Sequence, residues 1–400
     1  MDTKRLLIQN KSRYPVVPAS IEDFQSVEGE TIDPQTVLKQ PNISLYCLDD
    51  ANRRAIFVET APGIELSQKP FLYQAQFDHA QHLISMPYST LAELARSLPA
   101  LGANLIIIYS VGRSGSTMLS KAFGQLDGAL SLSEPDVFCD IALMCEADGS
   151  RDQDLREVLF GSTRLLCKPT PMIEPIYYVI KPRPQAIHHA GLMHALFPQA
   201  RLVFLYRDAV DFICSFARFR DDLRNTVPEL EANLDYYQKV VPLIKSYADI
   251  IDFADPVMDF YILWWLSCLD SYMKLQRLGV PLFALRYEDL VGNRQATLAA
   301  LFDYCGLPES AVGLALRAFN KDSQTSSPLS REKQRHLEPD EIDNLRTRVQ
   351  TLLGRHDEIN RSDFIVPGTF AQSPTVLRRM ECSCQNLFLL LAPPATSGGC

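Results

Sequence analysis

The sequence has no excess of positive charge: 48 acidic side chains outnumber 39 basic ones, for a formal net charge of −9. A chain so biased is a poor general binder of nucleic acid or of acidic membrane surfaces, and its basic residues should matter locally, at a site. Metal-type cysteine spacing is also absent. The ten cysteines are scattered, and Cys382-x-Cys384 is too close-set and lies in an irregular stretch. Neither a disulfide framework nor a zinc site is expected, and no other metal; buried free thiols in a reducing compartment fit better. Long apolar runs are missing too. Residues 260–269 are the most apolar stretch and are far too short to span a bilayer. MDTKRLLIQNKSRYP at the start has no apolar core of the kind a signal peptide needs. The expectation is a soluble, cytoplasmic chain with no nucleic-acid partner and no stable membrane insertion.

Against these absences one stretch stands out: residues 104–123, NLIIIYSVGRSGSTMLSKAF. Residues 105–110 are apolar or β-favouring and fit a strand buried on both faces. Val111-Gly112-Arg113-Ser114-Gly115 is then a tight turn whose two glycines accept positive φ or a close ligand. Ser116 and Thr117 open a segment in which Met118, Leu119, Ala122 and Phe123 recur at helical spacing. Strand, small-residue loop and helix N-terminus make a cradle of backbone N–H groups at a positive dipole end, suited to phosphate or sulfate. A nucleoside-triphosphate loop would read G-x-x-x-x-G-K-[ST], with its Lys on the terminal phosphates. Here the glycines stand closer together and no Lys follows Gly115; Arg113 supplies the basic group. A purely structural turn is the plain alternative.

Residues 1–100 read as a small α+β unit of their own. Residues 43–48 and 55–59 are apolar runs split by Asp49-Asp50-Ala51-Asn52, a hairpin signature. Residues 71–79 alternate as a strand would, while 81–84 and 91–98 look helical. His79 and His82 are spaced like a metal pair on a helix, but no third ligand is evident nearby. Acceptor recognition, dimerisation and plain structural extension all stay open as roles for this unit.

Downstream, residues 129–133 form a short strand leading into Glu134-Pro135-Asp136, and Pro135 keeps Glu134 out of a helix. Ligands of open α/β sheets gather beyond the carboxyl ends of strands, so Glu134 is placed for general-base work. A solvated turn glutamate is the alternative. A strand over 177–180 ends in Lys181-Pro182-Arg183-Pro184, leaving Lys181 at its tip. Residues 185–197 read as a helix whose His188, His189 and His194 suit packing or surface, with His188 and His189 next in line as bases. Residues 201–206 are another apolar strand tipped by Arg207. Asp208 then starts a helix with Val210, Ile213, Cys214 and Ala217 inward and Ser215 two turns along. Helical patterns follow over 230–248 and 258–278, with Trp264 and Trp265 as core. Residues 281–285 form the last parallel strand, and 295–305 a helix closed by Gly306. Two amphipathic helices, 311–319 and 339–353, flank Ser330 and Arg331, and residues 371–400 read as a mobile tail.

Three of these segments, in order over about residues 104–310, resemble the sulfotransferases that use 3′-phosphoadenosine 5′-phosphosulfate (PAPS). Gly112-Arg113-Ser114-Gly115-Ser116-Thr117 is similar to the family's 5′-phosphosulfate loop. Arg207-Asp208-x-x-Asp211-x-x-x-Ser215 looks like the family's 3′-phosphate site, and a guanidinium fork suits a phosphate dianion. LRYEDLV…LFDYCGLP resembles a third family segment, which packs under the nucleotide. The resemblance implies Glu134 as general base, Lys181 near the transferring group and Arg113 on the leaving phosphate. It also implies Ser330 and Arg331, with Lys333, as a cover over the 3′-phosphate, although the family's Arg-Lys-Gly form is absent there. No histidine stands in the motif of the family's histidine-base branch.

The expectation is an α/β protein: a parallel sheet flanked by helices with a P-loop-like phosphosulfate-binding loop (101–370), a small N-terminal α+β unit (1–100) and a tail (371–400). It would move a sulfuryl group from PAPS, without metal, to a hydroxyl or amine of a small-molecule or carbohydrate acceptor, as monomer or homodimer. A nucleotide kinase using the same cradle and an inert nucleotide-binding scaffold are the alternatives.

Overall fold

The computed structural model describes residues 2–14, 17–146, 148–169, 176–219, 223, 226–320, 334–361 and 364–370. Ser330, Arg331, Lys333 and the tail expected over 371–400 lie outside the described residues. Two five-stranded sheets organise what is described.

The first sheet is antiparallel, in the order β2-β1-β5-β4-β3, with β1 Lys4–Lys11, β2 Phe24–Thr31, β3 Ile43–Asp49, β4 Arg54–Thr60 and β5 Ala80–Pro87. The hairpin expected around Asp49–Asn52 is β3 and β4, paired from Ile43–Glu59 to Asp49–Arg54. Two expectations are corrected here. Residues 71–79 are not a strand: Leu72–His79 is a helix (α2) whose buried Leu72, Tyr73, Ala75 and Gln76 lie at i, i+1, i+3 and i+4. The Gln76 amide fixes that face by donating at 2.8 Å both to Ser44 Oγ and to the Leu45 carbonyl of β3. Residues 81–84 are not helical either, but part of β5, paired with β4 on one side and β1 on the other. From Leu83 to Pro87 every residue of β5 is buried, so no polar face remains to announce a strand.

The second sheet is parallel throughout, in the order β10-β9-β6-β8-β7. Its strands are β6 Leu105–Ser110, β7 Ala129–Ser133, β8 Tyr177–Lys181, β9 Arg201–Tyr206 and β10 Leu282–Arg286. All six residues of β6 are buried, as a central parallel strand covered on both faces requires. The chain leaves β6 for the β7 edge, returns through β8, then crosses β6 to β9. That reversal opens a crevice at the carboxyl ends of the strands beside β6. Helices on both faces close the sheet, among them Ser116–Phe123 (α4), Asp152–Leu166 (α6), Ala209–Ala217 (α8) and Val257–Arg277. Gly306, at φ 73°, is the left-handed cap of the helix Arg294–Cys305. The helix expected over 230–248 is instead Leu234–Val240 and a short turn, Ile244–Tyr247; Pro242 between them has no N–H to carry a helix on.

One apolar core runs through both halves, joining Ile43, Phe57, Ile84 and Leu91 to Ile107, Tyr109, Ile180 and Phe204. The described cysteines are all free, and most are buried. No helix among the described residues is long and apolar enough to cross a membrane.

Candidate functional site

The loop after β6 owes its shape to its small residues. Gly112 (φ 85°), Arg113 (φ 49°) and Gly115 (φ 82°) all take left-handed backbone, so the chain coils tightly before entering α4. Close packing restricts both glycines further: a Cβ on Gly112 would stand 3.2 Å from the Pro184 ring, and one on Gly115 3.1 Å from the Tyr287 ring. Ser114 Oγ ties the loop to the Leu205 carbonyl of β9 at 3.2 Å, and Ser110 Oγ donates to Ser116 Oγ at 3.2 Å. No side chain caps α4, so its first N–H groups and its positive dipole end are left for an anion.

The expected basic and hydroxyl partners converge on this loop. Arg113 Nε donates to Ser215 Oγ on α8 at 2.9 Å, and Arg207 Nη1 donates to the Arg113 carbonyl at 3.3 Å. Arg207, at the tip of β9, lies over the Tyr287 ring (4.5 Å) with Nη2 3.7 Å from Asp211. The Arg207 carbonyl accepts from Trp265 Nε1 at 3.0 Å, so a tryptophan read only as core also fixes the strand tip. Arg207 Nε is buried and has no hydrogen-bond partner among the described residues. A guanidinium held by stacking, with a donor to spare, fits a phosphate oxygen. On that observation the residues present fit a nucleotide bearing a second phosphate.

On the other side of β6 the register builds a second cluster. Ser133 of β7 pairs with Lys181 of β8, so the next residue, Glu134, lands on the strand tip. Its N–H donates to the Lys181 carbonyl at 2.6 Å, and its carboxylate takes the Lys181 ammonium in an ion pair. Lys181 is almost wholly buried. Glu134 is held at φ 57°, in a region side chains rarely occupy. Sequence reasoning missed the two residues beyond. Arg183 Nε and Nη2 clasp the buried carboxylate of Asp136 at 2.7 and 2.9 Å, and Arg183 Nε stands 4.0 Å from Glu134 Oε2. Against the burial that opposes its charge, Asp136 holds the Arg183 guanidinium well above its ordinary pKa. The repeated spacing, Glu134-Pro135-Asp136 facing Lys181-Pro182-Arg183, was the signal available for them.

His188 and His189 are engaged elsewhere. His188 Nδ1 meets Ser271 Oγ at 2.8 Å and its Nε2 the Val240 carbonyl at 3.2 Å, while His189 Nε2 meets the Phe138 carbonyl at 3.3 Å. Burial lowers the pKa of each to about 4. His79 and His82 do not share a helix: His79 ends α2, and His82 sits in β5 with Nδ1 3.4 Å from Glu59. No cluster able to hold a metal ion occurs among the described residues.

Comparison with known proteins agrees with the motif reading. Residues 151–311 match the model of the sulfotransferase family. That match supports a transferase of the sulfotransferase class, as the motifs led us to expect. No curated protein sequence matches the chain. Among solved structures, a sulfotransferase from Mycobacterium avium is 11% identical over 66% of this chain and 79% of its own, with a TM-score of 0.38. The sulfotransferase domain from the curacin biosynthetic pathway is 17% identical over 62% and 97%, with a TM-score of 0.36. A retinol dehydratase in complex with androsterone and the inactive cofactor PAP is 12% identical over 82% and 99%, also with a TM-score of 0.36. At such scores these likenesses are slight, and the chemistry of the site does not rest on them.

Proposed function

We propose that this chain transfers a sulfuryl group from PAPS to a hydroxyl or amine of a small-molecule or carbohydrate acceptor, with Glu134 as general base. The observation that carries the reading is the meeting of Arg207, Arg113 and Ser215 at the glycine loop, from strands and helices far apart in sequence. A mononucleotide with a single phosphate tail needs the loop alone. A second basic and hydroxyl pair beside the loop is what a 3′-phosphate would use, and the spare Arg207 donor suits it.

PAPS would supply the sulfuryl group, activated on a phosphate leaving oxygen. Gly112 to Thr117 would hold the 5′ side through backbone N–H groups, with Arg113 placed to stabilise charge growing on the leaving oxygen. Arg207 and Ser215 would hold the 3′-phosphate. Glu134 would take the acceptor's proton, and its ion pair with Lys181 supplies a cation beside that proton transfer. Ser330 and Arg331 belong to the same proposal as a cover.

Ligand preference tests it. At about a hundred times its dissociation constant, 3′,5′-diphosphoadenosine should stabilise the protein by ~2.7 kcal/mol, and ATP with magnesium much less. Arg207→Ala should erase most of that preference in a thermal-shift titration. Equal stabilisation by ATP with magnesium would favour a nucleotide kinase instead.

A further inference from the structure

Asp136 has no part in the chemistry above, yet it is a fully buried carboxylate two residues from the candidate base. Besides Arg183, it accepts from the Ala19 N–H at 2.9 Å and lies 3.8 Å from Arg13. Ala19 and Arg13 belong to the connection between β1 and β2, so the antiparallel unit supplies two of these three partners. Arg13 is secured in turn: its Nη1 donates to Asp23 at 2.6 Å and to the Tyr46 hydroxyl at 3.1 Å, and its Nη2 donates to the Val17 carbonyl. The Tyr73 ring of α2 carries both guanidiniums, Arg13 at 4.6 Å and Arg183 at 4.3 Å. Three cations (Arg13, Lys181, Arg183) and three carboxylates (Asp23, Glu134, Asp136) thus form one charge-balanced chain running from the N-terminal unit to Glu134.

Glu134 needs such support. A non-glycine residue keeps left-handed backbone only where its surroundings over-determine it, and a base must be held close to its productive geometry to work. Without Arg13, Asp23 and Asp136 lose a cation, Arg183 is drawn onto Asp136, and the loop carrying Glu134 loses its tie to the antiparallel sheet.

We propose that Arg13, acting through Asp136 and Arg183, is a positioning residue for Glu134, so that the antiparallel unit completes the transfer site. This rests on the reading of Glu134 as the general base.

The test uses the full chain with Arg13→Gln, Arg13→Lys and Glu134→Gln. Amide exchange over residues 129–140 and 111–117 is followed by mass spectrometry, and PAPS consumption with water as acceptor gives kcat and KM. Arg13→Gln should quicken exchange over 129–140 by about tenfold or more and leave 111–117 within about twofold. It should lower kcat by about tenfold or more with KM for PAPS within about twofold. Arg13→Lys, which keeps the charge, should restore kcat to within about threefold of wild type, and Glu134→Gln sets the floor on the order of 10²–10⁴ below. Unchanged exchange over 129–140, or unchanged kcat, overturns the positioning role. So does quickened exchange in both segments with kcat and KM worsening together, the mark of general loosening. Should Arg13→Gln fail to fold, Tyr73→Leu, which removes the ring under both guanidiniums and keeps every charge, must show the same pattern. If the wild type neither binds 3′,5′-diphosphoadenosine nor consumes PAPS, the transfer reading is what fails. The exchange comparison then decides by itself whether Arg13 holds the loop.

Discussion

The two sheets build stability alike and differ in what they offer a ligand. The parallel sheet ends all its strands on one side, so five strand tips and the loops after them meet there. The antiparallel sheet alternates its ends and offers no such convergence, only side chains that reach outward from its connections. Arg13 and Lys168 show the two directions of that reach. Arg13 extends from the antiparallel unit to Asp136. Lys168, just after α6, extends the other way and gives its ammonium to the carbonyls of Val37, Gln40 (2.8 Å) and Ile43 (2.7 Å). One sheet gathers chemistry, and the other fastens onto it.

Acid should strain that comparison most. His188 and His189 lie in the parallel half and, through burial, titrate near 4 when folded against an ordinary 6.5. Between those values the unfolded chain binds more protons, so stability is present above pH 6.5 and lost as pH falls toward 4. At about 1.4 kcal/mol per pH unit the pair contributes on the order of 7 kcal/mol. Thermal melts from pH 7 to pH 4 should show this loss; a flat profile would mean the rings are not buried as neutral groups.

Truncation in each sheet asks whether the halves unfold together. Phe57 of β4 and Phe204 of β9 are fully buried in the same core, and Phe57→Ala and Phe204→Ala should each cost about 3–5 kcal/mol. Calorimetry should find one transition lowered in both variants. An early, separate transition with Phe57→Ala alone would make the antiparallel unit an independent domain.

The ties between the halves come next. Lys168→Met removes one donor from three carbonyls, of which that of Gln40 keeps the Ile43 N–H at 3.4 Å, and should cost about 2–3 kcal/mol, since hydrogen bonds from charged groups contribute about 1.5–3. The half-exposed pair Arg151–Asp50, at 2.6 Å, also joins the halves, yet Arg151→Ala should cost under about 1 kcal/mol. If chemical denaturation gives the two variants equal losses, burial is not what makes the Lys168 tie strong.

The parallel half was the legible one. Runs such as LIIIY and LVFLY are apolar from end to end because both faces are covered, and the turns after them carry the site residues in local motifs. β1, by contrast, reads KRLLIQNK and is mostly half-buried, so it keeps no clean alternation to mark a strand. Leu72–His79 alternates in polarity well enough to suggest a strand while folding as a helix. Within the site, Arg207 and Glu134 could be named because each follows a strand directly, and Gly112 and Arg113 because they lie in the glycine turn just after one. Arg13 could not, because its link to Asp136 spans two sheets and no spacing records it.

The antiparallel sheet takes all its strands from residues 4–87, whereas the parallel sheet is not complete until Leu282–Arg286. Chains emerge from the ribosome N-terminus first, at about 5–20 residues per second. Arg13, Ala19 and Tyr73 are therefore translated before Glu134 and Arg183 exist. The partners of the later half's buried charges are thus made first, so an apparent appendage is, in the order of manufacture, the earlier half of the contact that ends at Glu134.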